Sequence, residues 1–340
     1  MAPFPFMDIW MGIEARRRLS QVLPDSMLEW WNQWELPGLV FISLLAQVLL
    51  TLLGNRRKYG TNKVNEWIVW CSYYLADKVP AFALGVISSK IGDFYNNKQD
   101  EGRGSDPEMT AFWVPFFLMH IGGPDSITAY SLEDNELWSR HLVGLVVRTT
   151  VTFYIIVLSW SRTSWISWLS LPMLGAGFVK YGERTWSLYS ASLNHCRHSW
   201  LTVTEAEKAR GEERLLHLKG FMSCFVSVFS DVVLDRDDVR ELRNIFYNCS
   251  CEDFFSYMDF VHGFCYDMFF TKSIVTHTFW GIILRLITLI TEAVAFICYA
   301  INFHTETWQL SRFRSHHHLH AIVDSCRIRN PFNCIGGHFF

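Results

Sequence analysis

One run of eighteen uncharged residues, Leu36 to Leu53, restricts the possible folds of this chain more than any other feature. A helix of that length crosses a bilayer core of roughly 30 Å at about 1.5 Å per residue. The run is followed at once by Arg56, Arg57 and Lys58, a basic cluster typical of a cytosolic flank. The sequence therefore predicts an integral membrane protein.

The composition of the chain indicates which kinds of partner to expect. Half of the residues are apolar, and many of the fifteen tryptophans stand near the ends of apolar runs, as Trp30, Trp31 and Trp34 do. The net charge of -3 provides no broad basic field, which argues against a nucleic-acid partner. The nine cysteines are scattered and imply no disulfide framework or zinc site. We expect membrane lipids as partners and neither a cofactor nor a metal.

The apolar segments predict an all-α fold, a multi-pass transmembrane bundle of about five to six spans. The expected bundle covers residues 36–182, with spans near 36–53, 67–88, 111–132, 142–160 and 165–179, and a last span covers 274–303. The third span meets Gly122, Gly123 and Pro124 after eleven residues, so it is expected to be broken or re-entrant, with a second half-helix from Asp125. Only four residues separate spans four and five, which indicates an antiparallel hairpin.

Three further segments are more polar than the spans. Residues 1–35 are expected to form an amphipathic, interfacial segment. Residues 183–272 are expected to be a cytosolic helical segment, with Asp235 as an N-cap before an apolar stripe from Val239 to Phe246. A bias of basic residues favours this segment in the cytosol and an extracytosolic N-terminus. The tail, residues 304–340, lacks periodicity and is expected to be disordered, so that its deletion would leave stability nearly unchanged.

Five ionisable residues fall inside apolar spans, where each central charge costs about 2.5 to 3.5 kcal/mol. They are Asp77, Lys78, Arg148, Arg285 and Glu292. They are expected to pair or to face water, and Arg148 is expected to be buried with an acidic or backbone partner. The two open interpretations are structural ion pairs that hold the bundle together and a permeation or proton pathway.

The stretch from Gly122 to Arg140 is the densest candidate polar site. It contains four carboxylates and one guanidinium: Asp125, Glu133, Asp134, Glu136 and Arg140. Broken helices in transporters expose backbone groups to ions or substrates, and clustered carboxylates bind cations. The alternative is structural, with Asp125 as an ordinary N-cap and Glu136 paired with Arg140 four residues later.

Lys180 and Arg184 lie where span five is expected to reach the cytosol, and they share a helix face. They are candidate contacts to lipid headgroups, either by snorkelling to lipid phosphates or as a specific site. No phosphate-binding loop, nucleophile elbow or zinc-protease motif occurs. The sequence therefore assigns no catalytic residue.

Three phrases carry a family resemblance. They are His120 to His141, which begins His-Ile-Gly-Gly-Pro-Asp; Lys180 to Trp186 with Ser190 to Ser192; and Tyr266 to Lys272 with His277. Together they resemble a large plant family of multi-pass membrane proteins, expanded in grasses and filed as a domain of unknown function, over about residues 28–303. The resemblance implies topology and lineage, and it supplies no activity or catalytic residue. Family members usually continue with more spans and a second cytosolic domain, so it also implies a truncated isoform, a degraded gene copy or a misjoined gene model.

Three functions follow as hypotheses. The first is a non-enzymatic membrane scaffold, in the plasma membrane or an endomembrane, that docks protein partners through its cytosolic helical segment. The alternative is a transporter or channel component built on the broken third span, and the third is a lipid-modifying enzyme. A water-accessible cavity that joins the 122–136 stretch to Asp77 or Arg148 would favour transport. A solid bundle with an exposed stripe around Val239 to Phe246 would favour interaction.

Overall fold

The computed structural model describes residues 5–22, 24–60, 62–96, 107–193, 195, isolated positions between 236 and 250, and 251–301. These residues form helices and no strand, which confirms the all-α prediction. The helices are α1 (Pro5–Val22), α2 (Asp25–Leu53), α3 (Lys63–Asn96), α4 (Pro107–Gly122), α5 (Leu132–Glu136), α6 (Trp138–Leu158), α7 (Trp165–Ser190), α8 (Cys251–Phe270), α9 (Ser273–Thr276) and α10 (Phe279–Ile301). A 3-10 turn, Gly54–Lys58, follows α2.

The chain divides into two compact units, Met1–Thr288 and Leu289–Phe340. Within the second unit the structure describes the C-terminal part of α10, which presents apolar side chains such as Leu289 and Phe296 on its surface.

Three described helices are long and apolar enough to cross a membrane: Trp30–Lys58, Trp138–Leu158 and Phe279–Ile301. Their outward faces carry exposed apolar side chains, for example Phe41 on α2 and Phe153 on α6. Such continuous apolar surface indicates membrane association. The expected count of five to six spans is not confirmed.

Helix α1 packs against α3 and α6 with one face and exposes apolar side chains such as Phe6 and Trp10 on the other, so the expected interfacial segment stays a prediction. Two glycines allow the close approach to α3. A methyl group at Gly85 would overlap the backbone carbonyl oxygen of Ile9, and one at Gly12 would overlap that of Phe82. The contact carries Asp8 into the bundle, where it is 2% exposed.

Helix α4 lies at the centre of the unit and packs against α3, α6 and α7. Its apolar side chains form one core cluster with α3 and α7, which includes Leu84, Ile87, Phe117, Leu118 and Tyr181. Burial of a continuously apolar helix on all sides is the arrangement expected when no polar face exists.

The third expected span is broken, as predicted, but the chain does not resume as a helix at Asp125. Helix α4 ends at Gly122, and Gly123 adopts a φ of 69°, which favours glycine. The backbone of the next residues pairs instead with the turn after α8: the amide of Thr128 donates to the carbonyl of Phe270 at 2.7 Å. Helix α5 starts only at Leu132, where Ser131 and Asp134 form a capping box.

Helices α6 and α7 pack against each other across the connection 159–164, as the expected hairpin requires. Helix α7 continues to Ser190, so the expected boundaries at 179 and 183 fall inside it. The expected N-cap Asp235, most of the stripe from Val239 to Phe246, and the tail 304–340 lie outside the described residues.

Candidate functional site

A polar cavity of about 410 Å³ lies between α1, α3, α6, α7 and the irregular segment before α5. Seven of its lining residues are charged: Asp8, Asp77, Lys78, Asp134, Arg140, Arg148 and Arg184. The other lining residues are mostly aromatic: Trp70, Tyr73, Tyr74, Tyr130, His141 and Tyr181, together with Ser131. This mixture of charge and aromatic surface sets the cavity apart from the apolar core around α4.

Asp77 and Arg148 form the central ion pair of the cavity. Arg148 Nη1 lies 3.2 Å from Asp77 Oδ1, and the arginine side chain is 4% exposed. Arg184 Nη1 approaches the same carboxylate oxygen at 3.9 Å. Arg148 also donates from Nη1 to the hydroxyl of Tyr181 at 3.1 Å. The prediction that Arg148 is buried with an acidic partner is confirmed.

A second buried carboxylate comes from α1. Asp8 Oδ2 accepts a hydrogen bond from Lys78 Nζ at 2.8 Å and lies 3.6 Å from Arg148 Nη2. The N-terminal helix is therefore held to α3 and α6 by charge as well as by close backbone packing.

Asp134 closes the side of the cavity formed by the irregular segment. One of its oxygens, Oδ2, accepts from the amides of Tyr130 and Ser131 at 2.8 and 3.1 Å and from the Tyr73 hydroxyl at 3.2 Å. From the outer side, Arg57 donates to the carbonyl of Tyr130 at 2.7 Å and stacks over its ring at 4.0 Å. These contacts fix a stretch of backbone that has no helical hydrogen bonds of its own.

Several buried atoms of the network have no hydrogen-bond partner among the described residues. They include the Nε atoms of Arg148 and Arg184 and Oδ1 of Asp8. A buried donor or acceptor without a partner costs about 1 to 3 kcal/mol, so such atoms call for a functional or solvent-related explanation.

Side chains from three other elements satisfy the carbonyl groups at the C-terminal end of α4. Gln47 donates to the carbonyl of His120 at 2.7 Å, Arg184 to that of Ile121 at 2.7 Å, and Lys272 to that of Gly123 at 3.1 Å. A helix C-terminus carries a partial negative charge, which favours the two cations. Because these carbonyls are occupied by protein donors, they are not the open backbone ligands that the transporter hypothesis required.

Lys272 lies in the turn between α8 and α9 and is fully buried. Burial lowers the pKa of its ammonium group to about 8, and the nearby Asp125 and Glu183 carboxylates only partly oppose this shift. Desolvation is thus the larger effect. Glu183 has a buried oxygen, Oε1, without a hydrogen-bond partner among the described residues.

The lining of the cavity includes residues from three of the groups that were predicted from the sequence. Asp77, Lys78 and Arg148 come from the intramembrane charges, Asp134 and Arg140 from the 122–140 stretch, and Arg184 from the expected lipid contacts. Asp125 lies elsewhere and pairs with Arg285 at 2.8 Å. Glu133 is exposed on α5, and Glu292 is half-buried on α10.

Two sequence-based expectations for the 122–140 stretch are wrong, and the expected headgroup contact of Arg184 stays a prediction. Arg184 does not snorkel from an exposed helix face, since it is 4% exposed and donates to the carbonyl of Ile121 at the end of α4. Asp125 is not an N-cap, because no helix begins there. Glu136 does not pair with Arg140, because its carboxylate accepts the amide of Leu193 at 2.7 Å instead. Lys180 is half-buried, and its backbone lies against Gly122.

Sequence reasoning missed Asp8, Tyr73, His141, Tyr181 and Lys272. Of these, His141, Tyr181 and Lys272 lie inside the three recognised phrases, which was the available signal. The phrases meet in space, because Lys272 and Arg184 bind the end of α4 and Asn135 donates to the carbonyl of Phe269 at 3.0 Å. Among the described residues, no group of three or more metal-ligating side chains comes together.

Comparison with protein families shows to which family the chain belongs. The family described as a domain of unknown function, DUF4220, matches residues 70–327. The chain belongs to this family. The match begins later than residue 28 and runs past 303, so the resemblance does not end with the last helix as expected from the sequence. Comparisons with curated proteins and with solved structures give no match.

Proposed function

We propose that this chain is a multi-pass membrane protein that admits a polar small molecule or headgroup into the cavity between α1, α3, α6 and α7. The role is that of a carrier or transport component. The observation that supports it is the junction of Asp134 and Arg140 with Asp77 and Arg148 around one space of about 410 Å³. Pockets of roughly 300 to 1,000 Å³ accommodate small ligands.

The scaffold hypothesis receives less support. Its distinguishing feature, an apolar stripe from Val239 to Phe246 on a solid bundle, lies largely outside the described residues. The enzyme hypothesis lacks an arranged nucleophile, base and oxyanion site among the described residues. The three phrases that resemble a plant family support a plant origin.

The orientation proposal places the N-terminus outside the cytosol and residues 183–272 inside it, as the bias of basic residues favours. Cys251 is exposed and offers a reporter. In sealed vesicles, an impermeant thiol reagent should modify Cys251 from the cytosolic side. Modification only from the opposite side would contradict the proposed orientation.

The cavity itself can be tested with two matched cysteine variants on α6. His141 lines the cavity and is 8% exposed, whereas Leu145, one turn later, belongs to the apolar core and is 6% exposed. Each variant, His141→Cys or Leu145→Cys, is reconstituted in lipid nanodiscs and treated with a charged, water-soluble thiol reagent. Peptide mass spectrometry reads the modification at that position separately from native cysteines.

We expect modification of the cysteine at position 141 and protection of the cysteine at position 145. Equal protection of both, in variants whose melting temperatures match the wild type, would contradict a water-accessible cavity and favour a solid bundle.

A further inference from the structure

We propose that the cavity binds an oxyanion group, a phosphate or carboxylate, through Arg140 together with the guanidinium groups of Arg148 and Arg184. This inference rests on the proposed function and names the ligand class for the same cavity.

The charge balance of the lining supports an anion rather than a cation. Four lining side chains are cationic, Lys78, Arg140, Arg148 and Arg184, and three are carboxylates, Asp8, Asp77 and Asp134. With His141 neutral, the lining carries one surplus positive charge.

The carboxylates are already compensated. Asp8 binds Lys78, Asp77 binds Arg148, and Asp134 accepts two backbone amides and the Tyr73 hydroxyl. Asp77 and Asp134 therefore offer little to an incoming cation. Asp8 keeps one buried oxygen, Oδ1, without a hydrogen-bond partner among the described residues, but its charge is balanced by Lys78 and Arg148 at Oδ2.

Arg140 is the cation of the lining that these carboxylates do not pair with. In the part of the chain that the structure describes, Arg140 takes part in none of the salt bridges, and the carboxylate of Glu136 accepts the amide of Leu193. A guanidinium presents several donors in a planar fork that matches the oxygens of phosphate or carboxylate. Close by, Arg148 and Arg184 each retain a buried Nε without a hydrogen-bond partner among the described residues.

The cavity has an aromatic entrance. Trp70 and Tyr74 line it and are also 44% and 54% exposed on the outer face of α3. Tryptophan and tyrosine favour the level of lipid headgroups in a membrane. An oxyanion could therefore come from a lipid headgroup or from a free anion in solution, and both share the chemistry that Arg140 recognises.

The test measures how fast the cysteine of His141→Cys is modified in nanodiscs of digalactosyldiacylglycerol, a neutral lipid without a phosphate group. One arm adds inorganic phosphate, a second includes phosphatidic acid in the nanodisc, and a third adds choline chloride at matched ionic strength. We expect phosphate, phosphatidic acid or both to slow modification several-fold, and choline to have no effect. Protection by phosphatidic acid alone would identify a lipid headgroup as the source, and protection by phosphate alone would identify a free anion.

A second substitution links the protection to Arg140. When Arg140→Gln is added to His141→Cys, the affinity for the protecting anion should fall by roughly ten-fold or more, since a charge-assisted hydrogen bond is lost. Arg140→Lys should retain part of the effect. Arg162→Gln, a matched change at an exposed arginine in the α6–α7 connection, should leave protection unchanged.

The outcomes separate the two proposals. If the cysteine at position 141 is modified but neither anion protects it, or if choline protects it, the oxyanion proposal is overturned while the cavity remains. If Arg140→Gln folds and keeps full protection, the proposal is equally overturned. If the double variant with Arg140→Gln does not fold, the comparison of phosphate, phosphatidic acid and choline on His141→Cys alone still tests the oxyanion proposal. Lack of any modification without ligand would instead overturn the proposed function.

Discussion

The Nζ atom of Lys272 donates a hydrogen bond at 3.1 Å to the carbonyl of Gly123, although the two residues are 149 positions apart in the sequence. Gly123 is the point where α4 ends and the irregular segment begins. The backbone amide of Lys272 also donates to the carbonyl of Asp125 at 3.3 Å. The break in the helix is therefore a fixed structural feature that distant residues support from outside α4.

Replacement of Lys272 by methionine should destabilise the protein by about 1 to 3 kcal/mol at about pH 10.5, where the amine is largely neutral and little cost of burying a charge offsets the lost hydrogen bond. The substitution keeps the apolar stem but leaves the buried carbonyl of Gly123 without its donor. Thermal unfolding in detergent measures the change. Lys63→Met, at the exposed start of α3, is the control and should have little effect. An unchanged melting temperature for Lys272→Met would contradict the role of the amine.

The stability of the wild type relative to Lys272→Met should rise with pH. Burial lowers the pKa of Lys272 to about 8, below the ordinary lysine value of about 10.4, so between these values the unfolded chain binds more protons than the folded chain. The cost of burying the charge is fully present below pH 8 and disappears above about pH 10.4. Melting temperatures of both proteins across this range test the sign, and a relative loss of wild-type stability would contradict it.

Breaking the central ion pair by Arg148→Met should cost about 3 to 5 kcal/mol, because the substitution leaves Asp77 and Asp8 with less compensating charge in a buried setting. Arg18→Met removes an exposed pair with Glu14 and should cost no more than about 0.5 kcal/mol. Asp77→Asn combined with Arg148→Met should cost less than the sum of the single changes. Strict additivity in this double-mutant cycle would show that the two side chains do not interact.

The packing of α1 against α3 requires a glycine at position 85 of α3. Gly85→Ala would press a methyl group into the carbonyl of Ile9, and neither backbone can move without disturbing a helix, so we expect a loss of about 1 to 3 kcal/mol. Gly92→Ala, two turns further along the same helix, meets no atom within 4 Å and should gain up to about 1 kcal/mol from helix propensity. Unfolding free energies of the two variants test the contrast, which a similar response of both would refute.

Two cysteines on α8, Cys251 at its start and Cys265 in its C-terminal half, should differ strongly in reactivity. Burial raises the pKa of the Cys265 thiol to about 11, so only about one part in a thousand is thiolate at pH 8. Cys251 is exposed. Timed alkylation with peptide mass spectrometry should show Cys251 modified well before Cys265, and Cys265 should react only after unfolding. Equal rates in the folded protein would show that α8 does not pack as described.

Predictions from the sequence are most accurate where one free-energy cost is much larger than all others. The apolar run at Leu36 to Leu53 has few alternatives to a membrane helix, and a charge such as Arg148 inside an apolar segment requires a partner. Neither energetic cost depends on which helices are neighbours. Both expectations agree with the structure, in which α2 is a continuous helix and Arg148 bonds Asp77.

The sequence fails where long-range packing selects among local possibilities. Asp125 was a reasonable N-cap, but pairing of this segment with the turn after α8 keeps it irregular. Glu136 and Arg140 have favourable helical spacing, yet the free amide of Leu193 competes successfully for the carboxylate. Asp8 enters the cavity only because Gly12 and Gly85 let α1 and α3 approach, a relationship that no local pattern specifies.

Hydroxyl-radical footprinting of the wild-type chain in nanodiscs most directly tests whether the polar cavity inside the bundle holds water. Tyr181 and Met173 lie on the same helix and are 1% and 0% exposed, but only Tyr181 lines the cavity. Radicals generated from internal water should oxidise Tyr181 at doses that leave Met173 intact, although methionine is intrinsically the easier residue to oxidise. Protection of Tyr181 at doses that oxidise the exposed Trp70 and Tyr74 would contradict the account.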